Sequence, residues 1–203
     1  MPDFSFELEH DNPVAGVDEA GRGPWAGPVV AAAVILDQTN FPDGLDDSKK
    51  LSAKKRGILF GLIMAQAKVG VGQASVEEID TLNILQATML AMVRAVENLP
   101  QKPAFVLIDG NRCPEMEIPS QAIIKGDARS FSIAAASIIA KVTRDQIMAD
   151  LAKTWPDYGW ERNAGYGTSL HQQGLNLVGI SPHHRKTYAP IRKIITQESS
   201  IKS

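Results

Sequence analysis

Two adjacent carboxylates, Asp18 and Glu19, sit in VDEAGRG between an apolar run and a glycine-rich turn, and two more, Asp109 and Asp127, close the apolar stretches AFVLID and AIIKGD. Carboxylates can ligate a hard divalent cation, move protons, or serve only as solvated strand ends and helix caps. What separates these uses is whether the four converge. Buried at one sheet edge they would repel one another, so convergence implies cations between them, Mg²⁺ or Mn²⁺ by the all-oxygen donor set. Two such ions about 4 Å apart can activate a water and stabilise the leaving oxygen of a phosphodiester. Consecutive strand side chains point to opposite faces, so Asp18 and Glu19 share a site only if the strand ends or bends between them. The AGRG that follows permits that.

The glycines themselves suggest phosphate binding, and the sequence argues against it. GRGPWAGPV lacks the lysine and hydroxyl of a P-loop. The glycine spacing is G-x-G-x-x-x-G rather than the dinucleotide pattern, and an apolar strand follows in place of a helix N-terminus.

The elements that must position the acids follow from periodicity and punctuation. Residues 14–18 and 29–36 read as antiparallel strands joined through the glycine turn. Ser52 caps a helix running to about residue 66, AKVGVGQASV alternates like a half-buried strand, and residues 83–97 carry apolar side chains at helical spacing. AFVLIDG is a short buried strand, AIIKGD another ending near Asp127, and SFSIAAASIIAKVTRDQIMADLAKTW a long helix with a small-residue face. After Pro156 the chain breaks into short pieces. The expectation is an α/β domain with a mixed β-sheet flanked by helices over residues 1–155, and a small helical C-terminal appendage over residues 156–203.

Composition bounds the rest. The 203 residues suffice for one domain with a real core, and 44% hydrophobic with 22% charged residues is ordinary for a globular protein. The longest apolar run is too short to span a bilayer, and the acidic N-terminus does not resemble a signal peptide. One cysteine, Cys113, can form no internal disulfide, which fits a reducing cytoplasm. A net charge of −2 gives no global pull toward nucleic acid, but basic residues cluster in SKKLSAKKR and after residue 181.

The motifs GVDEAGRGPWAGPVVAAAVIL, DDSKKLS, IDGN, IKGDARSFSIAAASIIAKVTRD, GYGT with His171 close behind, and HR at 184–185, taken in order, resemble the bacterial ribonuclease HII family from about residue 15 to 190. The resemblance implies a ribonuclease H-like fold. It also implies cleavage of the RNA strand of RNA–DNA hybrids and nicking of duplex DNA 5′ of single embedded ribonucleotides. Asp18, Glu19, Asp109 and Asp127 occupy the family's four acidic positions for two cations, the first three matching best. Gly21, Arg22 and Gly23 match the loop that meets the ribose 2′-hydroxyl, and Tyr166 the tyrosine that packs on the following sugar. Lys49, Lys50 and Arg185 are expected at the nucleic-acid backbone. Ala164 stands where lysine is frequent and Thr187–Tyr188 where Ser–Phe is commoner. The QESSIKS end shows no aromatic clamp-binding tail, and a monomer is expected. A nuclease on the same fold acting on DNA alone and a silent nucleic-acid-binding module are the competing readings; the GRG and GYG sites argue against the first, and four intact acids against the second.

Overall fold

The computed structural model describes the backbone of residues 1–201 and the side chains of residues 1–197. Lys202 and Ser203, the end of the basic stretch and of the QESSIKS tail, lie outside the described residues. Strands β1 (Val14–Ala20) and β2 (Val29–Ile35) form the expected antiparallel hairpin, with Gly16 opposite Val34 and Ala20 opposite Val30. β3 (Lys68–Ala74) adds antiparallel to β2; β4 (Phe105–Asp109) and then β5 (Ser120–Ile123) add parallel on the other side of β1. The order β3-β2-β1-β4-β5 makes one mixed sheet.

Seven helices accompany it among the described residues: α1 (Ala53–Gln66), α2 (Val76–Leu82), α3 (Ile84–Glu97), α4 (Phe131–Thr154), α5 (Trp160–Asn163), α6 (Ser169–Val178) and α7 (Ala189–Ile201). The alternation of β2 shows how they cover the sheet. Ala31, Ala33 and Ile35 pack with Ala87, Ala91 and Ala95 of α3, whereas Ala32 and Val34 pack with Ala134–Ile139 of α4 and Leu59 and Ile63 of α1. A strand buried on both faces needs a continuous apolar run, and VVAAAVI supplies one. Small side chains let α4 approach closely: a Cβ on Gly16 would lie 2.2 Å from the Ser132 carbonyl carbon. That approach brings α4 beside the C-terminal half of β1, where Asp18 lies.

Residues 156–201 form a set of short helices on the far end of α4. Met148 and Ala152 of α4 share a core with Ala26 of the β1–β2 connection and with Tyr158, Trp160, Leu175 and Ile191. Short pieces are inevitable here because Gly159, Ala164, Gly165 and Gly179 all adopt positive φ, which stops a helix.

Two local expectations need correction. The alternating strand stops at Ala74, because Ser75 and Glu78 form a capping box that starts α2. The strand ahead of Asp127 stops at Ile123; Lys125 turns left-handed at φ 56° and Gly126–Ala128 form a 3₁₀ turn. Asp127 therefore rides on a turn. Nor does it cap α4: that is Ser130, whose hydroxyl accepts from the Ile133 N–H. No helix among the described residues is long and apolar enough to cross a membrane.

Candidate active site

Parallel register gathers the acids. β1 and β4 pair in parallel up to Val17 and Ile108, so the next residues, Asp18 and Asp109, lie side by side where that pairing ends, Asp18 still opposite Ala32 of β2 and Asp109 opposite Ile123 of β5. The Gly126 N–H donates to Asp109 Oδ1 at 2.7 Å and pins the turn that carries Asp127. Asp18, Asp109 and Asp127 each present an oxygen, all within 4.8 Å of one another. Asp18 is 4% exposed and Asp127 6%. Burial, reinforced by Glu19 and Asp109, pushes the Asp18 carboxyl well above its ordinary range. Burial and the charge of Asp109 raise Asp127 too, against the pull of Lys49. Hard oxygen donors crowded into a desolvated corner, with Asp109 opposing the ionisation of Asp18 and Asp127, fit a hard divalent cation.

Glu19 stands apart from that trio. β1 stays paired through Ala20 rather than breaking after Asp18, so the two side chains diverge as strand geometry requires. Glu19 meets Arg22 at 3.3 Å; burial raises its carboxyl and Arg22 opposes the rise. It nevertheless borders the same cavity.

The cavity holds about 350 Å³ and is lined by Asp18, Glu19 and Asp109 together with Gly21, Arg22, Gly23 and Tyr166. Lys49 reaches over the acids, its ammonium 3.5 Å from Asp127. Burial works to lower the Lys49 ammonium, and Asp18, Asp127 and Asp47 outweigh it, leaving it above its usual value. Lys50 turns outward to Asp46 at 3.0 Å and does not line the cavity. Ser137, Lys141 and Arg144 also line it from α4. Their spacing of four and three residues places them on one helix face, a signal present in the sequence and not used there.

Arg185 departs from expectation. It is fully buried, and its guanidinium donates to the carbonyls of Gly21, Arg22, Gly27 and Pro28 and to the Tyr188 hydroxyl, at 2.6 to 3.2 Å. With its donors committed inward, it cannot also reach a nucleic-acid backbone; it shapes the GRG loop from beneath. Arg144 is the second such cation, bound to the carbonyls of Ala26, Pro28 and Ala164. A Cβ on Gly21, already at φ 98°, would lie 1.9 Å from Arg144 Nε, so this corner admits only glycine. The Tyr188 hydroxyl donates to the Arg22 carbonyl at 2.5 Å, a bond that a phenylalanine here could not make.

A mixed five-stranded sheet with clustered carboxylates at the ends of its parallel strands defines a ribonuclease H-like nuclease, a class whose members use divalent cations. A family profile, Ribonuclease HII, matches residues 15–190. Ribonuclease HII of Paracoccus denitrificans is 58% identical over 204 residues, covering 98% of this chain and 97% of the relative. Among solved structures, ribonuclease H2 from Pyrococcus horikoshii superposes with a TM-score of 0.76 at 30% identity, covering 91% of this chain and 97% of that one. RNase HII from Archaeoglobus fulgidus, solved in complex with PCNA, gives 0.73 at 27% identity, covering 86% and 94%. The chain belongs to the ribonuclease HII family: it is a phosphodiester hydrolase with ribonuclease H activity on RNA–DNA hybrids.

Proposed function

We propose that the cavity recognises a ribonucleotide in a duplex and that the acids beside it cleave the phosphodiester on its 5′ side, leaving 3′-hydroxyl and 5′-phosphate ends. The observation that carries this reading is that one cavity is lined both by the acids Asp18 and Asp109 and by Gly21, Gly23 and Tyr166. Two cations, Mn²⁺ or Mg²⁺, bound among Asp18, Glu19, Asp109 and Asp127 would supply an activated water and neutralise charge on the leaving oxygen. The chain's own residues account for selectivity. Arg185 and Tyr188 hold the Gly21 and Arg22 carbonyls, so the planar trans peptides turn the N–H groups of Arg22 and Gly23 away from them, available to a 2′-hydroxyl. Tyr166, 48% exposed, presents a face on which the next sugar can pack. Lys49 and, further out, Lys50 meet phosphates.

The appendage over residues 156–203 would complete the groove against the 1–155 core, because it supplies Tyr166 at the cavity and Arg185 beneath the GRG loop. We further take the protein to act as a cytoplasmic monomer in ribonucleotide removal.

The test is a duplex carrying one ribonucleotide, incubated with Mn²⁺ or Mg²⁺. A single nick 5′ of the ribonucleotide is expected. No nick, or equal cutting of an all-DNA duplex, overturns the reading.

A further inference from the structure

The loop that carries Tyr166 is held by its carbonyls. Those of Ala164, Gly165 and Gly167 accept from Arg144, the Trp25 N–H and Gln172. That of Tyr166 itself accepts from the Thr168 N–H at 2.8 Å and from His171 Nδ1 at 3.0 Å. His171 and His184 are both fully buried, and their Nε2 atoms lie 2.9 Å apart. The proton positions in this pair follow by elimination. A carbonyl only accepts, so His171 Nδ1 carries a hydrogen. Trp160 Nε1, which only donates, approaches His171 Nε2 at 3.2 Å, so that nitrogen is bare. His184 Nε2 must then donate to it. His184 Nδ1 is left bare to accept the Ser181 N–H and hydroxyl, both at 2.9 Å. Each imidazole has one tautomer, and every ring nitrogen has a partner.

We propose that His171 and His184 are positioning residues for ribonucleotide recognition: the one-way chain from Ser181 through His184 and His171 to the Tyr166 carbonyl sets the tyrosine ring at the cavity. This rests on the reading that Tyr166 packs on substrate. A Cβ on Gly23 would lie 3.4 Å from Tyr166 Cε1, so the ring sits directly over the GRG loop, and a small rotation of the loop's peptide would move it off. Neither histidine lines the cavity, so neither touches substrate or cation.

Two isosteric changes separate the link from the packing. His171→Asn keeps a donor near the Nδ1 position and loses the acceptor at Nε2. His171→Gln keeps an acceptor near Nε2 for Trp160 and His184 and loses the donor to Tyr166. Both variants, Tyr166→Ala, and the Tyr166→Ala/His171→Gln double variant are compared by kcat/KM on the one-ribonucleotide duplex and by melting temperature. His171→Gln should melt above His171→Asn yet lose roughly tenfold in kcat/KM through KM, with His171→Asn within about threefold of the parent. In the Tyr166→Ala background His171→Gln should add less than about twofold, since the two act as a unit. Activity that simply tracks melting temperature, or an undiminished His171→Gln effect in the double variant, overturns this inference and leaves the tyrosine's role standing. A Tyr166→Ala protein with the parent's kcat/KM overturns both.

Discussion

The molecule buries charge of each sign in two places about the same loop, and treats them in opposite ways. At the ends of the parallel strands, Asp18, Asp109 and Asp127 crowd together, and burial with the charge of Asp109 raises the affinity of Asp18 and Asp127 for protons. Beneath the GRG loop, Arg144 and Arg185 are almost wholly buried without a carboxylate on either. Both guanidiniums are shifted down, by burial first and, for Arg144, by Arg185 as well, which takes Arg144 to about 10. Their N–H groups nevertheless end on main-chain carbonyls. Burial and sign alone therefore do not mark a ligand site; unmet demand does. The acids lack enough opposite charge within reach, whereas every nitrogen of both guanidiniums already donates to the protein, even though Arg144 borders the same cavity. The first arrangement could hold a cation, and the second is architecture.

The sharpest way to break this contrast is to remove one charge from the acids. Asp18→Asn keeps the oxygen that accepts the Glu19 N–H and deletes the negative charge. Nicking of the one-ribonucleotide duplex should fall on the order of 10³-fold, about 4 kcal/mol of transition-state stabilisation. Without divalent cations the variant should melt above the parent at neutral pH, because a repelled buried charge is gone. Added Mn²⁺ should raise the parent's melting temperature far more than the variant's. A variant that is less stable and inactive together would make Asp18 a structural acid.

Removing a charge from the arginines should do the reverse. Arg185→Ala leaves the Gly21, Arg22, Gly27 and Pro28 carbonyls short of donors and should cost about 3–4 kcal/mol in urea unfolding. Arg185→Lys should recover little, since an ammonium cannot span that fork of acceptors. Full stability in Arg185→Lys would mean the contacts are incidental.

The same contrast explains what could be read from the chain. The sheet, its hairpin, α1, α3 and α4 follow from apolar periodicity and caps such as Ser52, which are local signals. The acids were visible as carboxylates closing apolar runs, because a charge at a strand end is conspicuous. Their division was not: whether Glu19 joins Asp18 depends on β1 remaining paired to Ala20, a fact about the partner strand β2. Arg185 was misjudged for a related reason. An arginine in a basic stretch looks solvent-facing, and nothing local reveals that the carbonyls of residues more than 150 positions earlier close around it. Asp80 illustrates the same limit, since it accepts the N–H groups of Lys186 and Thr187 across the molecule.

pH separates the two kinds of burial by sign. His184, buried beside His171, is held down to about 4 from 6.5, burial first and the neighbouring imidazole next. The unfolded chain binds the proton more tightly, so this stability is complete above about pH 6.5 and is lost as pH falls toward 4, about 3 kcal/mol in all. Asp18 runs the other way: its raised folded value makes metal-free stability decline as pH rises above its ordinary 3.8. Urea unfolding of the parent and of His184→Gln across pH 4–7, in chelator, should differ by a slope that rises with pH. The parent and Asp18→Asn should differ by a slope of opposite sign. Equal slopes in either pair would mean that the group's burial is not coupled to its charge.

Lys49 is the case between the two, a cation beside the acids but on the surface, its side chain 79% exposed. Its 3.5 Å contact with Asp127 is an exposed ion pair on one side, and such pairs are worth below about 1 kcal/mol. Lys49→Gln should therefore leave unfolding nearly unchanged, in contrast to Arg185→Ala. Its effect should appear in binding: if Lys49 meets a phosphate, the slope of log affinity against log salt should shrink by about one contact's worth, near 0.9 for B-form duplex. Uniform weakening across duplexes with and without a ribonucleotide should accompany it, because a phosphate contact carries no information about the sugar. A loss confined to the ribonucleotide duplex would instead place Lys49 with the GRG loop and Tyr166 as a reader of the 2′-hydroxyl. A large loss of stability would move it across the divide, to stand with Arg144 and Arg185 as a cation the fold itself requires.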